Sequence, residues 1–348
     1  MENWKSGELG NFITLKRGFD LPQQKRETGR VPVFSSSGIT GVHSQAMVKA
    51  PGVITGRCGT IGEVFFSAED FWPLNTTLFV EDFHGNDEKF IYYFLKTIPW
   101  SAFTATSAVP GINRNTVHKE TVRLPELQTQ KKIAAALSLL DEKIKTNSKI
   151  NDNLEQQIEA IFNNKYAPSL CCPNWNVGTI GDVVTLQRGY DLPKDKMVPG
   201  SYPVAGSTDT IFYHNDYTTE APCVVMGRSG NIGKPRLYME RCWAHNTTLF
   251  VKDFKGNNPY WSYYMLRSID YSQFRGGSAV PTLNRNHVHS FEISIPPVNQ
   301  QNEFGEIILP ILLLIENNRK EIKRLSTFRE ALLPKLMAGE IDISDIAL

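Results

Sequence analysis

Two seven-residue loops, GRCGTIG (56–62) and GRSGNIG (227–233), each set one arginine, Arg57 or Arg228, among three glycines spaced at every third residue. A guanidinium held on such a turn can contact guanine bidentately or clamp a phosphate. The same spacing also closes a tight turn between strands, because glycine admits positive φ and close backbone approach. No GK[ST] follows, so neither loop is a Walker A loop. A second cationic pair precedes another glycine: Lys16-Arg17-Gly18 and Gln187-Arg188-Gly189. Arg17 and Arg188 are identical, which suits phosphate contacts that position. Lys16 and Gln187 differ, which suits base contacts that specify. Other candidates for base edges lie in loops 34–44 and 205–215 (Ser35, Ser36, Ser37, Ser207, Thr208) and in 103–106 and 274–277 (Thr106). A variable surface loop is the plainer reading of each. Arg114 and Arg285, inside NRN runs, are candidate phosphate contacts. The asparagines beside them suit structural roles, and Asn75-Thr76-Thr77 and Asn246-Thr247-Thr248 suit capping and turns.

Bond-making chemistry finds no matching pattern. A methyltransferase that works on amino groups through an Asn/Asp-Pro-Pro-aromatic motif is not spelled here, since Pro296-Pro297 sits instead in IPPV at a strand end. Asp141-Glu142-Lys143 spells half of a nuclease motif but falls on a helical stripe, where it reads as a solvated face. His43, His118, His214 and His289 lack metal-ligand spacing and read as structural histidines, so no metal is expected. No catalytic residue is assigned.

The elements that must position these residues come in two copies. TLKRGFDLP (14–22) returns as TLQRGYDLP (185–193), NTTLFVEDFHGN (75–86) as NTTLFVKDFKGN (246–257), and SAVPGINRNTVH (107–118) as SAVPTLNRNHVH (278–289), all offset by 171 residues. About fifty of the 122 positions from Trp4 to Pro125 are identical in the second copy. Each copy opens with some 120 residues rich in Gly, Pro, Ser, Thr and aromatics, with short β-type runs such as VPVF, GVIT and TTLFV. One helical patch, FIYYFLKTI (90–98), interrupts the first.

Long helical segments follow. Ile133, Leu137, Leu140, Ile144 and Leu154 make a stripe in mostly three- and four-residue steps, with a slip near Asn147. Ile308, Leu312, Ile315, Ile322 and Leu325 make another, despite Pro310, which should kink it. The stripes suit partner-binding helices, first of all partners for each other. Ala338-Gly339 reads as a stop. The predicted fold is α+β: two mostly-β domains with long loops, separated by two long helices pairing as an antiparallel coiled coil with pseudo-twofold symmetry. The divisions are 1–125, a helix over 126–165, a linker over 166–173, 174–296, a helix over 297–340 and a tail over 341–348.

The 348 residues carry a formal net charge of +1, which counts against holding DNA by phosphate neutralisation alone. The strongest apolar run, 307–315, is too short to span a bilayer, and the first ten residues lack a signal-peptide layout. The five cysteines (Cys58, Cys171, Cys172, Cys223, Cys242) form no CxxC pair and read as cytosolic thiols, so a cytoplasmic location is expected.

In the order and duplication of K/Q-R-G-aromatic-D-L-P, PVFSSSG (32–38), GRxGxIG, AVPxxNRN, LPELQTQKKIAAAL (124–137) and LLPKLMAGEI (332–341), the sequence resembles the specificity (S) subunits of type I restriction–modification systems over its whole length. The resemblance implies two target-recognition domains reading a bipartite site in double-stranded DNA. It implies methylase (modification) subunits, two of them, docked on the helices, flipping a target adenine and binding S-adenosylmethionine, and a restriction subunit using ATP. Neither cofactor is expected in this chain. The recognition domains of such proteins are often dissimilar, whereas these two are close relatives. Two other readings stand beside this one: a non-enzymatic coiled-coil scaffold or adaptor that reads no DNA, and an enzyme of unrecognised type.

Overall fold

The computed structural model describes residues 4–104, 111–274 and 282–343. They form two compact units, 1–146 with 321–348, and 147–320. The first unit contains β1 (Lys5–Glu8), β2 (Thr14–Arg17), β3 (Val31–Ser35), β4 (Gly38–His43), β5 (Gly52–Gly56), β6 (Val64–Ser67), β7 (Trp72–Pro73), β8 (Thr77–Asp82), α1 (Glu88–Leu95), α2 (Arg114–His118) and β9 (Thr121–Leu124). Helix α3 (Leu127–Lys165) starts there and ends in the second unit.

Strand β8 shows how sequence becomes layers. Its start, Thr77-Leu78-Phe79-Val80, is buried throughout, so both faces of its sheet are covered. Alternation sends Leu78 and Val80 to one side and Phe79 to the other. The four-stranded sheet runs in the order β2-β8-β5-β6. On one face Leu15, Val53, Leu78 and Val80 pack with Phe90, Ile91 and Leu95 of α1 and with Ile133 and Leu137 of α3. On the other, Ile54 and Phe79 meet Phe34 and Phe71, beneath the three-stranded sheet β4-β3-β7. Helix α1 is capped by Asp87, whose carboxylate accepts from the Phe90 N–H at 2.8 Å. The tail after Gly339 (φ 73°) returns to this core, where Ile343 is 4% exposed.

The second unit repeats the plan: β10 (Asn176–Thr179), α4 (Ile180–Val183), β11 (Thr185–Arg188), β12 (Pro199–Ala205), β13 (Thr210–His214), β14 (Cys223–Gly227), β15 (Arg236–Tyr238), β16 (Trp243–Ala244), β17 (Thr248–Asp253), α5 (Pro259–Arg267), α6 (Arg285–His289), β18 (Glu292–Ile295) and the first part of α7 (Val298–Met337), whose end belongs to the first unit. Its sheets run β11-β17-β14-β15 and β13-β12-β16.

Within each unit, segments of α3 and α7 pair antiparallel. In the second, Lys165 meets Glu303 at 2.6 Å and Arg319 meets Glu155 at 2.7 Å. The buried Asn151 donates to the Ile315 carbonyl (3.3 Å) and accepts from Asn318 (2.8 Å). In the first, Arg329 meets Asp141 at 2.6 Å, and the Tyr93 hydroxyl donates to the same carboxylate at 2.6 Å. Asp141 is therefore a partly buried ion-pair partner, not the solvated face its sequence position suggested.

Helix α7 continues on both sides of Pro310. The proline's missing N–H leaves the Glu306 carbonyl without a helical donor, one bond lost in a helix of 40 residues. The helical stripes are consumed internally. Ile133 and Leu137 lie in the first core, and Ile308, Leu312 and Ile315 in the second with Leu154 packed on it. Leu140, Ile144, Ile322 and Leu325 are half-buried. Leu139 and Phe328 of the first unit are exposed. Among the described residues no helix is long and apolar enough to cross a membrane.

Candidate nucleic-acid interface

Lys16 and Arg17 end β2, paired with Phe79 and Leu78 of β8. On the other side of β8, Gly56 pairs with Thr77 and the chain turns at once into Arg57. The Arg57 backbone is pinned on both sides: its N–H donates to the Thr76 carbonyl (2.8 Å), and its carbonyl accepts from the Ile112 N–H (3.0 Å). Asn113 then caps α2 by accepting from the Asn115 N–H (3.0 Å), which places Arg114 on the first helical turn. Lys16, Arg17, Arg57 and Arg114 thereby line one cavity of ≈ 730 Å³, together with Cys58, Leu78, Gly111, Ile112 and Asn113. Among the described residues no carboxylate lines it, so the cavity suits an anion or the acceptor-rich edge of guanine. Four separately chosen candidates therefore come together in space.

A histidine joins the elements that carry them. His118, on α2, accepts the Leu15 N–H at 2.9 Å, tying α2 to β2. Burial first, then Arg114 and His84, hold its pKa below the usual imidazole value, which preserves the unprotonated acceptor. His289 accepts the Leu186 N–H at 2.9 Å in the same way. His43 and His214 accept backbone N–H groups from Glu27 and Val198.

The second copy keeps the same frame. The Arg228 N–H donates to Thr247 (2.9 Å), the Arg228 carbonyl accepts from Leu283 (2.8 Å), and Asn284 caps α6 ahead of Arg285. Arg188 Nε reaches the Asn246 carbonyl at 3.4 Å. The turn reading of the glycine loop holds. A Cβ on Gly56 would fall 1.9 Å from the Thr60 carbonyl oxygen, and Gly62 has φ 85°, so the loop is a glycine-dependent turn that also presents an arginine.

The divergent loops 34–44 and 205–215 are hairpins. Ser35, Ser36 and Ser37 form the β3–β4 tip, where Ser35 Oγ donates to the Gly38 carbonyl and accepts from the Ser37 N–H, both at 3.2 Å. The Ser36 carbonyl lies against Gly56, so the tip packs on the Arg57 turn. Ser207 packs on Gly227 in the same way, with Thr208 exposed beside it. Thr106 lies outside the described residues.

Sequence reasoning missed three partners. Glu81 forms an ion pair with Lys16. Asp20 accepts from Asn75, and Asp191 from Asn246, linking the DLP and NTT motifs. The signal was present, since both letters of the latter pair recur at the repeat offset.

Fold and cavity define the class: a protein with two homologous, mostly-β binding domains and long helices, carrying cationic side chains on a repeated frame. The chain belongs to the family of type I restriction–modification DNA specificity domains, whose model matches residues 1–156 and 173–327. It is similar to the specificity subunit of the type I restriction enzyme MjaIX of Methanocaldococcus jannaschii, 24% identical over 308 residues, covering 75% of this chain and 71% of that one. Its fold matches the crystal structure of the S subunit of a type I restriction–modification system from M. genitalium, with a TM-score of 0.70, 17% identity and 96% of each chain covered.

Proposed function

We propose that this chain reads a bipartite target in double-stranded DNA and, as a non-catalytic subunit, directs adenine methylation and cleavage there by a type I restriction–modification complex. The cavity lined by Lys16, Arg17, Arg57 and Arg114 carries the reading, supported by its repeated frame and by the family. The partners proposed are two modification subunits, which hold S-adenosylmethionine, and a restriction subunit, which uses ATP, all in the cytoplasm. The two half-sites are related but unequal and inverted.

A net charge of +1 is small for a protein holding duplex DNA unaided. The isolated chain is therefore expected to bind specific DNA weakly and to bind tightly once a modification subunit is added, as mobility shifts at physiological salt would show. Tight, specific binding by the chain alone would contradict the shared clamp. No DNA binding under either condition would favour the scaffold reading.

A further inference from the structure

Within the repeated frame, the side chain at position 16, or 187 in the second copy, is held differently, and its holder differs with it. In the first copy Lys16 Nζ donates to Glu81 of β8. The residue equivalent to Glu81 is Lys252, so a lysine at 187 would face like charge instead of a carboxylate. In the second copy Gln187 Nε2 donates to the Tyr190 hydroxyl at 2.9 Å. The residue equivalent to Tyr190 is Phe19, which has no hydroxyl to accept. Three positions in or beside β2 and β8, or their copies β11 and β17, therefore differ as a set: Lys16, Phe19 and Glu81 against Gln187, Tyr190 and Lys252. Around them Arg17 and Arg188, and Arg57 and Arg228, do not change.

Resting on the DNA-reading proposal above, we propose that this three-residue set determines one base of each half-site, guanine for Lys16 and adenine for Gln187. The chemistry follows from what each holder leaves free. With one N–H on Glu81, the Lys16 ammonium keeps two donors and no acceptor, which matches the O6 and N7 acceptors of guanine. With one N–H on Tyr190, the Gln187 amide keeps one donor and its carbonyl oxygen, which matches N7 and the N6 amino group of adenine. The holders also fix each group before DNA arrives, which lowers the ordering cost of binding. The unchanged arginines supply contacts common to both halves.

The test is selection of duplexes from a random library by the full chain with a type I modification subunit that binds it. The set is transplanted as the triple variant Lys16→Gln, Phe19→Tyr, Glu81→Lys. The wild-type chain is expected to select two half-sites that differ at one guanine/adenine position. The triple variant should convert that position of the first half-site to adenine and leave the second half-site alone. An unchanged first half-site, or identical half-sites in the wild type, overturns the proposal while DNA reading stands. A wild-type chain that enriches no sequence overturns both. If melting shows the triple variant unfolded, Lys16→Ala and Gln187→Ala decide. Each should lose base preference on the order of tenfold at one position of its own half-site, and no loss in either overturns the assignment.

Discussion

Arg57 and Arg228 test whether the repeated frame reads or merely turns. Each backbone is pinned by two hydrogen bonds that alanine would keep, so Arg57→Ala and Arg228→Ala should fold normally. If each contacts guanine, binding should weaken by about 1–3 kcal/mol with relaxed preference confined to one half-site. If each contacts phosphate, all sequences should weaken together and the salt slope should flatten. Titrations at two salt concentrations separate these outcomes, and unchanged binding in both variants would leave the arginines as turn residues. His118 and His289 give a second residue-scale expectation. Burial, aided by nearby cations, holds both folded-state pKa values below the ordinary 6.5. Between the two values the unfolded chain takes up protons that the folded chain does not, so unfolding gains as pH falls. Their contribution is complete above pH 6.5 and is lost as pH drops through the folded values. Thermal unfolding should therefore be easier at pH 5.5 than at 7.5, with the difference reduced in the His118→Asn, His289→Asn double variant. The cationic residues and structural histidines were legible because letter and offset repeat together. Glu81 was not, because the ion pair it makes with Lys16 exists only in one copy and shows no repeat.

At the scale of elements, the strands were legible as short β-type runs and the long helices from apolar residues in three- and four-residue steps, because both patterns are local. Asp141 was misjudged for the converse reason. Its surroundings come from Tyr93 and Arg329, 48 and 188 residues away, and no local pattern reports them. No local pattern reports the packing of the tail after α7 either, where Ile343 is 4% exposed in the first unit's core. Ile343→Ala should therefore cost about 2–5 kcal/mol, as expected for emptying a buried isoleucine site. Denaturant unfolding read separately for each unit should show the loss in the first and none in the second. Equal loss in both, or none, would contradict the packing described.

For the molecule as a whole, the central claim is that one duplicated frame reads two related half-sites. The duplication itself was plain from a repeat of 171 residues without insertion from Trp4 to Pro125. The division into 1–146 with 321–348 and 147–320 was not, because it falls within two continuous helices, where periodicity marks no boundary. The most direct measurement is single-molecule sequencing of DNA methylated in cells that express this chain with a type I modification subunit. The account predicts methylated adenines in a bipartite motif, with inverted, related and unequal half-sites of about three to five base pairs around about five to eight unspecified ones. A continuous motif, or half-sites repeated head to tail, would contradict it.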